Sequence, residues 1–153
     1  MEASTNKIIA GKIKAISISK RKGIAKSNVS SAKLVENWGI EGDAHAGNWH
    51  RQISFLAVES IDKMRKTLPK LQPGMFAENI TTEFIDIPNL KIGTIVKIGK
   101  NAELEITQIG KECHDKCAIY VKVGNCVMPT EGIFGKVIEN GEVFVNDNIY
   151  VIN

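Results

Sequence analysis

Short apolar runs separated by polar turns dominate this chain, and their spacing predicts strands more often than helices. From Gly11 to Ser19, the apolar positions Ile13, Ile16 and Ile18 stand among polar and small residues, as in a half-buried strand. Ser31 to Val35 and Gln52 to Leu56 are further stretches of strand length. Thr94 to Ile98 and Ala102 to Gln108 predict a strand pair joined by the turn Gly99-Lys100-Asn101. In the second of these, Leu104 and Ile106 alternate with Glu103, Glu105 and Thr107, which gives one buried and one wet face. Ile133 to Ile138 and Glu142 to Val145 flank Asn140-Gly141, a dipeptide that predicts a tight hairpin. Asn148 to Ile152 adds a last strand.

One segment has helical spacing. From about Val58 to Leu68, the residues Ile61, Met64 and Leu68 fall at i, i+3 and i+7 and make one apolar stripe. Glu59 precedes Lys63, and Asp62 precedes Lys66, by the four residues that favour an ion pair on a helix surface. Pro69 ends the pattern. Many short strands with little helix predict a mainly β fold, a closed or partly open antiparallel β-barrel with one or a few short helices. With no repeat, linker or low-complexity tract, residues 1–153 are expected to form a single domain.

Composition narrows the function classes. The chain is 43% apolar, enough for one substantial core, and 24% charged, as in ordinary globular proteins. A net charge of +3 is too small to point to nucleic acid. The basic run Lys20-Arg21-Lys22 reads as a turn, and Lys63 to Lys66 as the wet face of the helix. No apolar run approaches the roughly 18 residues of a membrane span. The first residues carry no apolar signal core, so the expected location is the cytoplasm, with no membrane partner.

Three segments carry candidate chemistry. All the cysteines, Cys113, Cys117 and Cys126, fall within one stretch. An odd number of them argues for free thiols rather than a disulfide framework. Lys116 and His114 stand beside Cys117 and favour its thiolate, whereas Cys126 between Asn125 and Val127-Met128 reads as a packed side chain. Together with His114, the three thiols also offer ligands enough for a tetrahedral zinc, though without a Cys-x-x-Cys knuckle. The second segment, Gly39-Ile-Glu-Gly-Asp43-Ala-His45-Ala-Gly47, is a loop whose glycines allow close approach of a ligand, or a polar turn whose acids bond local amides. The third, Phe76-Ala-Glu78-Asn79-Ile80, offers donors and acceptors to a pterin-like edge, or to its own backbone.

In this order, these segments resemble the MOSC domain, the family named for the C-terminal domain of molybdenum cofactor sulfurases, which also exists as free-standing bacterial proteins. The resemblance runs from about Lys12 to Val151. It is carried by Gly39 to His45, Arg51-Gln-Ile-Ser-Phe-Leu, Phe76 to Ile80, Ile109 to Cys117, and the tail from Met128-Pro through Glu131-Gly-Ile-Phe134. It implies a barrel similar to the pyruvate-kinase barrel domain and a role around the molybdenum-pterin cofactor.

Cys117 matches the family's reactive cysteine, with Lys116 where arginine is common. The resemblance makes Cys117 the sulfur carrier or the molybdenum ligand. Arg51, Lys111 and Lys116 become candidates for the cofactor's phosphate, and Asp43, His45, Glu78 and Asn79 for its pterin edge. A cysteine desulfurase or a molybdoenzyme is the implied partner. Pyridoxal phosphate belongs to the fused sulfurase domain and is not expected to bind here. The alternatives are a small molybdenum-dependent reductase of N-hydroxylated compounds and a structural zinc domain.

Overall fold

The computed structural model describes residues 7–21, 26–66, 68–76, 78–86, 89–110 and 132–152. The chain runs β1 (Lys7–Ile18), β2 (Ser27–Val29), β3 (Ser31–Val35), β4 (Gly39–Ile40), β5 (Ile53–Ala57), α1 (Val58–Arg65), β6 (Ile80–Glu83), β7 (Ile95–Ile98), β8 (Ala102–Ile109), β9 (Ile133–Glu139), β10 (Gly141–Phe144) and β11 (Asn148–Ile152).

Alternation becomes a closed barrel. Seven strands pair in the ring β1-β11-β7-β8-β9-β5-β6 and back to β1, with β2 as an extra strand beside the end of β1. Closure leaves the ring no free edge. β1 is long enough to serve several neighbours: Lys7 to Lys12 pair with β11, Lys12 to Ile16 with β6, and Ile16 to Ile18 with β2. Every pair in the ring is antiparallel except β5–β6. A parallel pair needs a crossover, and α1 with the turns after it provides that connection. β3, β4 and β10 form a separate three-stranded sheet.

The interior is filled by the residues that the period of two marks. Ile13, Ile53, Val96, Leu104, Val137 and Ile149 belong to one cluster of water-excluded side chains. β5 is buried on both faces. Its Ile53, Phe55 and Ala57 join the barrel interior, while Leu56 packs outside with Ile61 and Met64 of α1, Phe76 and Phe134. No helix among the described residues is long and apolar enough to cross a membrane.

The hairpin expected at Asn140-Gly141 does not form. β9 lies in the barrel, and β10 pairs with β3 in the smaller sheet, with Gly141 opposite Leu34. Neither residue needs the left-handed backbone of a tight hairpin. Asn140 Oδ1 instead accepts a hydrogen bond from Glu36 N at 2.6 Å. The glycine serves close approach: a Cβ on Gly141 would lie 2.5 Å from Ala102 N. The Asn-Gly pair therefore moves the chain between sheets.

Candidate functional site

The loop after β4 folds back against the end of β1. Ala44 N donates to Ser19 O at 2.8 Å, and Asp43 Oδ1 accepts from Ser19 N at 3.0 Å. Lys26, just before β2, reaches the same carboxylate, with Nζ 2.8 Å from Asp43 Oδ1 and both side chains fully excluded from water. Lys26 Nζ also lies 3.0 Å from His45 Nδ1. Asp43 Oδ2 accepts from His45 N at 3.1 Å. Burial pushes the Asp43 carboxyl up, but the bonds from Lys26 and from the amides of Ser19 and His45, with the charge of Lys26, leave it below its ordinary value.

From His45 a chain of contacts leads to Arg51. Trp49 Nε1 donates to His45 O at 2.9 Å, and the Arg51 guanidinium stands 4.7 Å from the centre of the Trp49 ring and 5.7 Å from that of Phe134. Arg51 Nε is buried and has no hydrogen-bond partner among the described residues. A buried N–H of a cation without an acceptor is costly, which marks this guanidinium as one able to receive an anion.

The same corner holds both ends of the cysteine-bearing stretch. Gly110 N donates to Gly132 O at 2.7 Å, which closes the base of residues 111–131. Gln108 Nε2 donates to Gly110 O at 2.8 Å, and its Oε1 lies 2.7 Å from His50 Nε2. Thr107 Oγ1 bonds to His50 O. The stretch thus leaves and rejoins the barrel beside His50 and Arg51. Cys113, Cys117 and Cys126, with Lys111, His114 and Lys116, lie outside the described residues. Among the described residues no three His, Cys, Asp or Glu side chains are grouped to hold a metal ion.

Glu78 and Asn79 are placed differently. Both are fully buried, and their polar atoms bond to the protein itself. Glu78 Oε2 accepts from Gly74 N and Thr81 Oγ1, each at 2.8 Å, and Oε1 accepts from Phe76 N at 3.2 Å. Gly74, at φ +96°, fits because a Cβ there would lie 2.8 Å from Ser17 Oγ. Burial raises the Glu78 carboxyl above its ordinary value despite these donors. Asn79 Oδ1 accepts from Ser54 N at 3.0 Å and Oγ at 3.2 Å, and Nδ2 donates to Ser17 O at 3.1 Å. Asn79 thereby ties β1 to β5 beneath the loop that carries Asp43 and His45.

The fold brings together Asp43, His45 and Arg51, all three marked in the sequence. Sequence reasoning missed Lys26, Trp49, Phe134 and Gln108. Nothing separates Lys26 from the other lysines locally, because its partner Asp43 is seventeen residues away. Trp49 and Arg51 come together through a bend rather than along a strand, so no periodicity marks the pair. A groove of about 490 Å³ along α1, lined by Glu59, Ser60, Lys63 and Phe84 among others, shares none of its described residues with this corner.

Residues 42–150 match the family model of the MOSC domain. No curated protein sequence matches the chain. Among solved structures, the chain is similar to the YuaD protein from Bacillus subtilis, with a TM-score of 0.81 and 19% identity over 97% of this chain and 98% of that one. It is also similar to YiiM from Geobacillus stearothermophilus, with a TM-score of 0.67 and 16% identity over 94% of this chain and 75% of that one. For YiiM from Escherichia coli the TM-score is 0.65, with 19% identity over 93% and 70%. At these identities the structural likenesses establish the shared fold.

Proposed function

The chain belongs to the MOSC domain family, and on that premise we propose that it binds the molybdenum-pterin cofactor at the His45–Arg51 corner of the barrel and uses Cys117 as its reactive thiolate. The family is associated with that cofactor. The observation that carries the reading is the convergence of the Arg51 guanidinium, whose buried Nε has no hydrogen-bond partner among the described residues, and the two ends of the cysteine-bearing stretch.

The donor set fits the group. Arg51 offers a planar cation to the cofactor's phosphate, the strongest contact available to such an anion. Lys111 and Lys116 add cations from the stretch that starts and ends beside it. His45 would meet the pterin edge, while Asp43, its side chain fully excluded from water, would hold Lys26 and the backbone of the loop behind it. Glu78 and Asn79 act one layer below, holding the 73–76 turn and joining β1 to β5, so that the loop above them keeps its shape. When bound, the cofactor supplies a redox-active metal with an affinity for soft sulfur.

Cys117 takes sulfur from a cysteine persulfide on a desulfurase partner. Its thiolate attacks the outer sulfur, the donor's S–S bond breaks, a new S–S bond forms on Cys117, and the donor cysteine leaves as thiolate. The acceptor is a molybdoenzyme's cofactor. The test is loading. Protein from a cofactor-producing host should carry pterin and molybdenum, and a Cys117→Ser variant should lose them, or lose the persulfide formed with a desulfurase, while remaining folded. Equal loading of both proteins would refute the role of Cys117.

A further inference from the structure

We propose that Lys26 is a positioning residue that holds His45 as a neutral imidazole with its proton on Nε2. This deepens the reading of the corner as a cofactor site and rests on it for its purpose, though not for its test.

The geometry leaves one arrangement. Lys26 Nζ lies 2.8 Å from Asp43 Oδ1 and 3.0 Å from His45 Nδ1. An ammonium has three donors and no lone pair. His45 Nδ1 must therefore accept, and the ring proton sits on the other nitrogen. Asp43 does not draw the proton back to Nδ1. Its Oδ2 is 3.8 Å from that nitrogen, beyond hydrogen-bond reach, and accepts instead from His45 N at 3.1 Å.

The charged groups that meet the ring among the described residues are Lys26, from the segment before β2, and Asp43, from its own loop. Trp49 contributes an indole N–H to His45 O, which fixes the backbone of the residue. A second proton on Nδ1 would face the ammonium directly, so the ring can charge only by breaking the Lys26 contact. The Asp43 carboxylate, 2.8 Å from Nζ, is the counter-ion of that ammonium.

The consequence is chemical. A neutral imidazole donating from Nε2 suits an uncharged acceptor, such as a ring carbonyl oxygen or an unprotonated ring nitrogen of a heterocycle. It does not suit a metal ion at Nδ1, where Lys26 already stands. Lys26 thereby sets which ring nitrogen of His45 carries the proton, without itself touching the ligand.

Nitrogen NMR of the cofactor-free protein, with ¹⁵N-labelled histidine, reads the tautomer directly. His45 is assigned by the signals lost in His45→Gln. The expected wild-type spectrum has Nδ1 at the unprotonated end of the imidazole range and Nε2 at the protonated end, unchanged from about pH 8 down to about pH 5. Lys26→Met should give mixed tautomers or a ring that charges within that range, and Lys26→Arg, which also only donates, should restore the wild-type pattern. If Lys26→Met does not fold, Lys26→Met with Asp43→Leu removes both buried charges and should likewise give mixed tautomers. A wild-type ring with its proton on Nδ1, or a spectrum indifferent to loss of the lysine, overturns the proposal. The spectrum needs no cofactor, so failure of the protein to load pterin would refute the cofactor reading and leave this result standing.

Discussion

Lys26 and Asp43 form an ion pair at 2.8 Å from which water is wholly excluded, and it joins the segment before β2 to the loop after β4. Removing one partner strands a charge that burial penalises heavily. Asp43→Ala should cost about 3–5 kcal/mol in chemical denaturation. Lys26→Met with Asp43→Leu should recover most of that loss, since a matched apolar pair leaves no charge behind.

The pH dependence of stability has two parts of opposite sign. The folded-state pKa of Asp43 is below its ordinary value of 3.8, so its contribution is present above that pH and is lost as pH falls through the folded value. The folded-state pKa of Glu78 is raised above its ordinary 4.5, so its contribution is present below 4.5 and is lost as pH rises through the folded value. Glu78→Gln cannot lose a proton. Its deficit against wild type should therefore shrink as pH rises above 4.5, in denaturation curves taken across that range. A deficit that widens would contradict the assignment.

Arg51 offers a separation of charge from shape. Arg51→Lys keeps the cation but loses the flat guanidinium over Trp49 and Phe134. Cofactor affinity should fall roughly ten- to a hundredfold, corresponding to about 1.5–3 kcal/mol for a charge-assisted contact. Stability should change by no more than about 1 kcal/mol. Pterin fluorescence titration and thermal unfolding check the two halves.

Asn79→Ala should act on the fold. It leaves Ser54 N and Ser17 O with fewer partners in a buried layer between β1 and β5. A loss of about 2–4 kcal/mol is expected in denaturation, in proportion to the buried groups left unsatisfied.

The barrel was legible because its strands repeat with a period of two. Leu104 and Ile106 are buried as their alternation requires, and Ile61 and Met64 face the core from α1 as their spacing requires. Asn140-Gly141 misled because glycine serves close packing as well as tight turns, and only the neighbour, Ala102, decides which. Asp43 and His45 stood out locally only as part of a glycine-rich loop open to two readings, and Arg51 was marked only through the family resemblance. Lys26 was not legible, because a buried ion pair is defined by tertiary contact and leaves no periodic trace. Glu78 and Asn79 stood out for their chemistry, and the fold directs that chemistry inward to backbone amides.

The central claim is that the corner beside Arg51 binds the molybdenum-pterin cofactor with Cys117 as its thiolate. The most direct measurement is molybdenum and pterin content, with intact-mass detection of persulfide after incubation with a cysteine desulfurase, for wild type and Cys117→Ser from the same cofactor-producing host. The expected result is cofactor in the wild type and a single added sulfur on Cys117, with both lost in the folded variant. A wild type that carries neither, or a variant that carries as much as the wild type, would contradict it.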